Sequence, residues 1–168
     1  MGHEEHRHGA PQSVKIAILT VSTTRSLATD ESGHWMAACA AEQGHHIVAH
    51  QVVTDDADAI GQAVTKIIAD PSPQAVIVTG GTGITPYDVT IEAIKPLFAK
   101  ELTAFGILFT QLSYEEIRSA AILSRACAGL IGKALVFCIP GSLNACKLAC
   151  NKLILPELGH LVRHAKGK

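Results

Sequence analysis

Three apolar segments, separated by stretches of helical length, place the strongest constraint on how this chain can fold. Residues 14–21 read VKIAILTV, and residues 47–53 and 75–78 are also mostly apolar. Apolar runs of this length are typical of strands buried on both faces, as in a parallel sheet. The stretches between them, residues 32–43 and 57–69, have the length of helices. The β-α-β-α-β order predicts an α/β fold whose mostly parallel sheet is covered by helices on both faces.

The first residues differ in composition from the rest of the chain. Residues 1–13 are mostly polar and include three closely spaced histidines. We predict a flexible, solvated, His-containing tail, although such a cluster can also bind a metal loosely. Residues 14–168 show no interdomain linker and no internal repeat, which predicts a single domain.

The apolar runs and the cysteines predict the cellular compartment of the protein. No uninterrupted apolar run approaches the roughly twenty residues that cross a membrane, and the polar start lacks the apolar core of a signal peptide. The five cysteines include no C-x-x-C pair, and their neighbours are mostly apolar. We therefore predict buried thiols in a reducing cytosol, and a cytoplasmic protein.

Charge and composition exclude nucleic acid as the expected partner. The formal net charge is −1 and aromatic residues make up 4% of the chain. Such a chain has no basic excess to neutralise a phosphate backbone and few rings on which bases could stack. Apolar residues reach 48% and charged residues only 17%, which predicts surface buried between the subunits of a homo-oligomer.

The segment VIVTGGTGITPYD, residues 76–88, is the strongest sign of a binding site. Here a buried strand ends in a glycine-rich loop, and a helix is predicted near residues 86–95. The residues of this glycine loop are Thr79, Gly80, Gly81, Thr82 and Gly83. Glycines let a ligand approach the backbone, and successive N–H groups before a helix bind anions. Because the segment is neither G-x-G-x-x-G nor a Walker A motif, a glycine-rich turn without a ligand stays open as the alternative.

Two aspartates are candidates for chemistry at this loop. Asp55 follows the second strand and Asp88 follows the glycine loop, so a parallel sheet brings both to its ligand-binding edge. Carboxylates are suited to Mg²⁺. A structural role is the alternative for Asp88, as the acidic N3 residue of the helix predicted after the loop. Of the pair Asp55 and Asp56, we assign helix capping to Asp56 and function to Asp55.

Three further polar positions lie near strand ends. Ser142, which follows Gly141, either caps the last helix or meets a phosphate. Arg25, in the loop after the first strand, either pairs with phosphate or is solvated. Arg125 precedes a hairpin predicted to turn near Gly132, and it is either structural or a ligand-binding residue.

Six short segments, spread in order along the chain, form a recognisable set. They are DESG (30–33), VTDD (53–56), TGGTGITPYDVT (79–90), LSYEEI (112–117), SRACAG (124–129) and PGS (140–142). Together they resemble the MoaB/MogA family of molybdenum cofactor biosynthesis proteins over roughly residues 14–162. The segments SYEEI and SRACAG resemble the MoaB branch more than MogA.

The resemblance implies a three-layer αβα sandwich, the MogA-like molybdopterin-binding fold, in a homo-oligomer for which we favour a hexamer over a trimer. It implies that molybdopterin and ATP react, with Mg²⁺, to give adenylyl-molybdopterin and pyrophosphate. Carried over to this chain, Asp55 and Asp88 are the catalytic acids and the Mg²⁺ ligands. The ligand-binding residues are Thr79, Gly80, Gly81, Thr82, Gly83, Gly141, Ser142, Ser113 and Arg125. Other molybdenum cofactor biosynthesis proteins are expected as further partners.

Two positions depart from the family pattern, and one of them is Arg118, which stands where glycine is common after EEI. The family often has Gly-Phe-Gly-Glu where residues 104–107 of this chain read AFGI, so Ile107 replaces an acid. Ile107 therefore supports an alternative, a non-catalytic molybdopterin-binding or carrier protein of the same fold. A third hypothesis is a regulatory nucleotide-binding domain unrelated to molybdenum. Of the three, only the adenylyltransferase predicts the release of pyrophosphate.

Overall fold

The computed structural model describes residues 11–167. Its strands are β1 (Lys15–Val21), β2 (His46–Val53), β3 (Ala75–Thr79), β4 (Lys100–Glu101), β5 (Cys127–Ile131) and β6 (Ala134–Ile139). Its α-helices are α1 (Glu31–Glu42), α2 (Ala57–Ala69), α3 (Thr90–Ile94), α4 (Thr103–Ile117), α5 (Leu143–Ala149) and α6 (Leu155–Ala165). A π-helical turn (Cys150–Ile154) joins α5 to α6, and 3-10 turns cover Leu27–Thr29, Lys95–Leu97 and Arg118–Leu123.

The strands form one six-stranded sheet in the order β2-β1-β3-β6-β5-β4. The first four run parallel to one another, whereas β5 and β4 continue the sheet in antiparallel pairing. The hairpin of β5 and β6 turns at Gly132, whose φ of 59° favours a residue without a Cβ. The predicted mostly parallel sheet and the predicted hairpin are confirmed.

Alternate strand residues are buried in two separate cores, one on each face of the sheet. In β1, Ile16 and Ile18 share a core with α1, α4, α5 and α6, whereas Ala17 and Leu19 share the other with α2 and α3. Because helices cover both faces, every residue of β3 is buried. This is the three-layer αβα sandwich that the family resemblance implies.

The four parallel strands end at the same edge of the sheet, and a loop follows each of them. The loop after β1 carries Arg25, the loop after β2 carries Asp55, β3 leads into the glycine loop, and Gly141 follows β6. Ligands of open α/β sheets bind outside this edge. The topology therefore gathers most of the predicted site residues in one place.

One predicted helix begins later than expected. A helix was predicted near residues 86–95, but α3 starts at Thr90 and continues as a 3-10 turn after Ile94. The residues before α3 form a turn in which the Asp88 N–H donates to the Thr85 carbonyl at 3.0 Å. Proline fits the second position of such a turn as well as the first position of a helix, so Pro86 is compatible with both.

The remaining expectations concern the tail, the thiols and the membrane. Residues 1–10 lie outside the described part of the chain, so the His-containing tail over residues 1–13 stays a prediction. All five cysteines are free thiols, and four of them are buried, as expected. Within residues 11–167, none of the helices combines the length and the apolar character that crossing a membrane requires.

Candidate functional site

The glycines of the loop are required by the protein's own packing. Gly80 and Gly81 have φ values of 98° and 63°, in the left-handed region that side chains disfavour. A Cβ on Gly81 would lie 2.5 Å from Oγ1 of Thr90, and a Cβ on Gly80 would collide with the Val21 carbonyl. The missing side chains therefore allow the loop to lie directly against the end of β1 and the start of α3.

Hydrogen bonds hold the glycine loop in a fixed shape. The Gly80 N–H donates to the Ile139 carbonyl at 3.0 Å, and Thr79 Oγ1 donates to the Pro140 carbonyl at 3.0 Å. Thr90 Oγ1 donates to the Gly80 carbonyl at 2.8 Å. Thr79 and Thr82 are buried, which adds to the rigidity of the loop. The loop is therefore organised by contacts within the protein, before any ligand is considered.

Asp55 lies against the glycine loop and does not cap a helix. Its Oδ1 is 3.3 Å from the position of a Cβ on Gly81, and its Oδ2 accepts a hydrogen bond from Thr23 Oγ1 at 2.5 Å. The neighbouring Asp56 is the cap of α2, because its Oδ1 accepts from the Ala59 N–H at 2.8 Å. The predicted capping role of Asp56 is therefore confirmed, and the functional role of Asp55 stays a prediction.

Asp88 lies against the other end of the same loop. Its Oδ2 accepts from the Thr85 N–H at 2.9 Å and from Thr85 Oγ1 at 2.6 Å, and it fills the space beside Gly83. The reading of Asp88 as the N3 residue of a helix is wrong, because Val89 is the cap of α3. The Thr85 hydroxyl, helped by backbone N–H groups and by the charge of Arg125, holds the pKa of Asp88 below its ordinary value. Asp88 is therefore an anion near neutral pH.

The turn after β6 touches the glycine loop directly. A Cβ on Gly141 would lie 3.1 Å from the Gly80 Cα. The Gly141 carbonyl accepts from Ser32 Oγ at 3.0 Å and from Arg25 Nη1 at 3.3 Å. Ser142 caps α5, because its Oγ accepts from the Ala145 N–H at 3.2 Å. The capping alternative for Ser142 is thus confirmed, and a role in phosphate binding stays a prediction.

Arg125 forms a hydrogen bond with the glycine loop, and Ser113 does not. Arg125 Nη1 donates to the Gly83 carbonyl at 3.0 Å, and Nη2 forms an ion pair with Glu92. Ser113 is buried within α4, and no hydrogen bond among residues 11–167 joins it to the glycine loop. The structure therefore brings Arg125 to the site and gives Ser113 no direct contact of this kind.

A buried carboxylate beside the site was not assigned a role from sequence. Asp30 caps α1 by accepting from the Gly33 N–H at 3.1 Å, and it is fully buried. Its Oδ2 also accepts from Thr20 Oγ1 at 2.5 Å and from His50 Nε2 at 2.7 Å. Burial raises the pKa of Asp30, but these hydrogen bonds outweigh it and lower the pKa below the ordinary value. The polar Thr20 and His50, in otherwise mostly apolar strands, were the signal that could have located this cluster.

The side chains at the loop fit a magnesium ion bound together with a substrate. No group of three or more His, Cys, Asp or Glu residues suited to a metal occurs within residues 11–167. Mg²⁺ in nucleotide sites is commonly held by one or two carboxylates, water and the substrate's phosphates. Asp55 and Asp88 supply hard oxygen donors of that kind. The chemistry of these two donors fits Mg²⁺, and the binding of Mg²⁺ stays a prediction.

Comparison with known proteins points to one family. A family model described as a probable molybdopterin binding domain matches residues 17–160. The chain is 51% identical to molybdenum cofactor biosynthesis protein B of Bacillus subtilis over 167 residues, which are 99% of this chain and 98% of that protein. A crystal structure of a molybdenum cofactor biosynthesis protein B is 46% identical, covers 95% of this chain and 99% of its own, and has a TM-score of 0.91. The crystal structure of the tungsten cofactor synthesizing protein MoaB from Pyrococcus furiosus is 40% identical to this chain and has a TM-score of 0.85. The match covers 94% of this chain and 99% of that protein's chain. The chain therefore belongs to the MoaB family of molybdenum cofactor biosynthesis proteins.

Proposed function

We propose that this chain is a cytoplasmic molybdopterin adenylyltransferase that uses Mg²⁺ and ATP. The observation that supports this most directly is that Asp55 and Asp88 lie against two glycines of one rigid loop, at Gly81 and Gly83. Two carboxylates beside a glycine-rich loop suit a phosphate-bearing substrate with its magnesium ion. The match to a molybdopterin-binding domain supports molybdopterin as the second substrate.

The proposed reaction transfers an adenylyl group. An oxygen of the terminal phosphate of molybdopterin attacks the α-phosphorus of ATP and forms a new P–O–P bond. The bond from the α-phosphorus to the oxygen bridging to the β-phosphate breaks, and pyrophosphate leaves with that oxygen. A phosphate monoester is already an anion near neutral pH, since its second pKa is about 6. The attack therefore needs no general base, and positioning and charge neutralisation provide the catalysis.

Each part of the site has a role in this reaction. Backbone N–H groups of the glycine loop, other than those of Gly80 and Gly83 that already donate to Ile139 and Asp88, bind phosphate oxygens without rearrangement, because the loop is fixed by its own hydrogen bonds. Asp55 and Asp88 would hold the Mg²⁺ of Mg-ATP, which would neutralise charge on the transferred phosphate groups. Gly141 and Ser142 extend the phosphate-binding surface toward β6.

A second candidate function is molybdopterin binding without catalysis. Ile107 is 68% exposed on α4 and lines a cavity of about 660 Å³ that Arg125 also lines. Arg125 contacts the glycine loop, so this cavity adjoins the site. The family often has an acid at position 107, and an isoleucine there cannot bind a metal. This observation favours a carrier over an enzyme.

We also propose that the chain forms a homohexamer. Five large apolar side chains on α4 and the 3-10 turn after it are between 46% and 85% exposed in the isolated chain. They are Ile107, Leu108, Ile117, Ile122 and Leu123. Clustered exposed apolar side chains are typical of surfaces that other subunits cover. The low charge fraction of the chain supports the same proposal.

The deciding experiment incubates the purified protein with molybdopterin and Mg-ATP and quantifies pyrophosphate and adenylyl-molybdopterin. We expect both products in equal amounts, and neither when molybdopterin or Mg²⁺ is left out. Calorimetric titration with molybdopterin alone is run in parallel. Molybdopterin binding without pyrophosphate release would reject the enzyme and leave the carrier. Absence of both would reject both proposals.

A further inference from the structure

Two arginines lie at the ligand-binding edge, and their charges are compensated to different extents. Arg125 forms a close ion pair with Glu92 through Nη2 and donates to the Gly83 carbonyl through Nη1. Arg25 has no such close partner. Its nearest carboxylate oxygen, Oδ1 of Asp30, is 3.9 Å from Nη1. Arg125 thus has a carboxylate in direct contact, whereas the carboxylate nearest to Arg25 lies at the outer limit of an ion pair.

Asp30 orients Arg25 without neutralising it by a direct hydrogen bond. The hydrogen bonds that Asp30 accepts come from Thr20, His50 and the Gly33 N–H, and none comes from Arg25. These three bonds hold the fully buried Asp30 in place. The attraction across 3.9 Å keeps Arg25 near the carboxylate but leaves its N–H donors largely unused.

The position of Arg25 connects it to both halves of the site. In the same loop, Thr23 donates to Asp55, which lies against Gly81. Arg25 Nη1 donates to the carbonyl of Gly141, the residue that touches Gly80. This bond is the one side-chain hydrogen bond of Arg25 within residues 11–167, and a guanidinium has five N–H donors. Since its side chain is 38% exposed, the other donors can reach a ligand at the rim of the site.

We infer that Arg25 is the phosphate-binding cation of this site and that Asp30 is its positioning residue. Arg125, in contrast, anchors the glycine loop through the Gly83 carbonyl. The ligand recognised by Arg25 is a phosphate or pyrophosphate group, which accepts the planar fork of a guanidinium in bidentate fashion. This inference rests on the proposed function only in that the phosphate belongs to a substrate of that reaction.

The test is calorimetric titration of the full-length protein with inorganic pyrophosphate, combined with thermal unfolding. Arg25→Gln should bind pyrophosphate about 10- to 100-fold more weakly, because charge-assisted hydrogen bonds are lost, with an unchanged melting temperature. Arg125→Gln should melt at a lower temperature and lose less affinity than Arg25→Gln, because the charge of Arg125 is already paired with Glu92. Arg118→Gln, an exposed arginine after α4, controls for loss of net charge and should change neither quantity.

A second variant tests the role of Asp30. Asp30→Asn keeps the shape of the side chain and removes the charge behind Arg25, so affinity should fall less than in Arg25→Gln. In the double variant the two losses should not add, because both act through the same guanidinium. Additive losses would remove Asp30 as the positioning residue.

The outcomes separate this inference from the proposed reaction. Unchanged pyrophosphate affinity in Arg25→Gln, equal losses in Arg25→Gln and Arg125→Gln, or no pyrophosphate binding by the unmutated protein would each overturn the assignment of Arg25. Pyrophosphate binding that depends on Arg25, in a protein that makes no adenylyl-molybdopterin, would leave the inference standing and reject the transferase.

Discussion

The carboxylate of Asp88 occupies the space that a side chain on Gly83 would need. A Cβ on Gly83 would lie 2.7 Å from Oδ2 of Asp88, closer than such atoms approach one another. Asp88 is a short side chain held by two hydrogen bonds from Thr85, so it cannot give way without losing them. The identity of residue 83 therefore controls the position of a proposed catalytic acid.

Gly83→Ala should displace Asp88 and lower adenylyl transfer by roughly 100-fold, the effect expected for a displacement of about 1 Å in a catalytic group. Gly61→Ala in α2 is the matched control, because nothing lies within 4 Å of a Cβ there. A helical alanine should stabilise the control by about 0.5–1 kcal/mol and leave turnover unchanged. Initial rates measure turnover and melting curves measure stability for both variants. Full activity in Gly83→Ala would contradict the prediction.

Asp55→Asn and Asp88→Asn should each reduce turnover by roughly 100- to 1000-fold while melting near the unmutated protein. Asparagine keeps the shape of the side chain and removes the charge that binds magnesium. Asp56→Asn is the control, since asparagine caps helices as well as aspartate does and Asp56 caps α2. If all three variants turn over at the same rate, neither Asp55 nor Asp88 is a catalytic acid.

Gly81→Ala should lower the free energy of unfolding by more than Gly44→Ala does. Both glycines have positive φ, at 63° and 84°, so both variants carry a backbone cost of about 1–2 kcal/mol. Only the alanine at 81 meets neighbours, Thr90 Oγ1 at 2.5 Å and Asp55 Oδ1 at 3.3 Å. Chemical denaturation should show an additional loss of about 1–3 kcal/mol at position 81. Equal losses would mean that the loop can shift away from these contacts.

Stability should fall as the pH is lowered through the titration of His45. The Val14 N–H donates to Nδ1 of this buried histidine at 3.3 Å, which requires an unprotonated Nδ1. Burial, assisted by the neighbouring His46, lowers the pKa of His45 below its ordinary value. The unfolded chain therefore binds the proton more readily, at a pKa of about 6.5.

The sign of the pH effect follows from that difference. The contribution of His45 is complete above about pH 7.5 and is lost as the pH falls from about 6.5 through the lower folded-state pKa. Melting temperatures of the unmutated protein and His45→Gln, measured between pH 8 and pH 5, should diverge in this window. His46→Gln, which changes an exposed neighbour, should retain the pH dependence. A His45→Gln variant with the same pH dependence as the parent would refute this assignment.

Light scattering should give the mass of six copies of the 17.7 kDa chain. Ile122→Glu places a charge on the most exposed of the apolar side chains after α4, at 85% exposure, and should lower the mass. Glu116→Gln, also exposed and near the end of α4, should leave the assembly intact. A monomeric mass that does not change with concentration in the unmutated protein would contradict the hexamer and the trimer alike.

The sheet was predictable because a strand that is buried on both faces is encoded by consecutive apolar residues. Strand β3 is buried along its whole length, and an uninterrupted apolar run is what such burial requires. The topology then placed Asp55 and the glycine loop at one edge by a general rule. The family relationship was readable from six motifs, and the relatives give no support to a regulatory domain unrelated to molybdenum.

The contacts within the site were not predictable, because they join residues that are distant in sequence. Asp30 and His50 are 20 positions apart, and Arg25 and Gly141 are 116 apart. Whether Arg25 or Arg125 keeps its charge available depends on neighbours such as Glu92 that no local pattern reveals. The helix-start alternative for Asp88 failed for a related reason, since its partner Thr85 fits a turn and a helix cap equally well.

The bonds that fix the glycine loop have a thermodynamic consequence for its ligand. The loop residues lose their conformational freedom when the chain folds, because Ile139, Pro140 and Thr90 already hold them. A ligand that binds there does not have to order the backbone, so the entropy cost of its binding is confined to the ligand itself and to mobile side chains at the rim. The entropy cost of ordering this segment therefore lowers the stability of the folded chain, and it does not weaken the binding of the ligand.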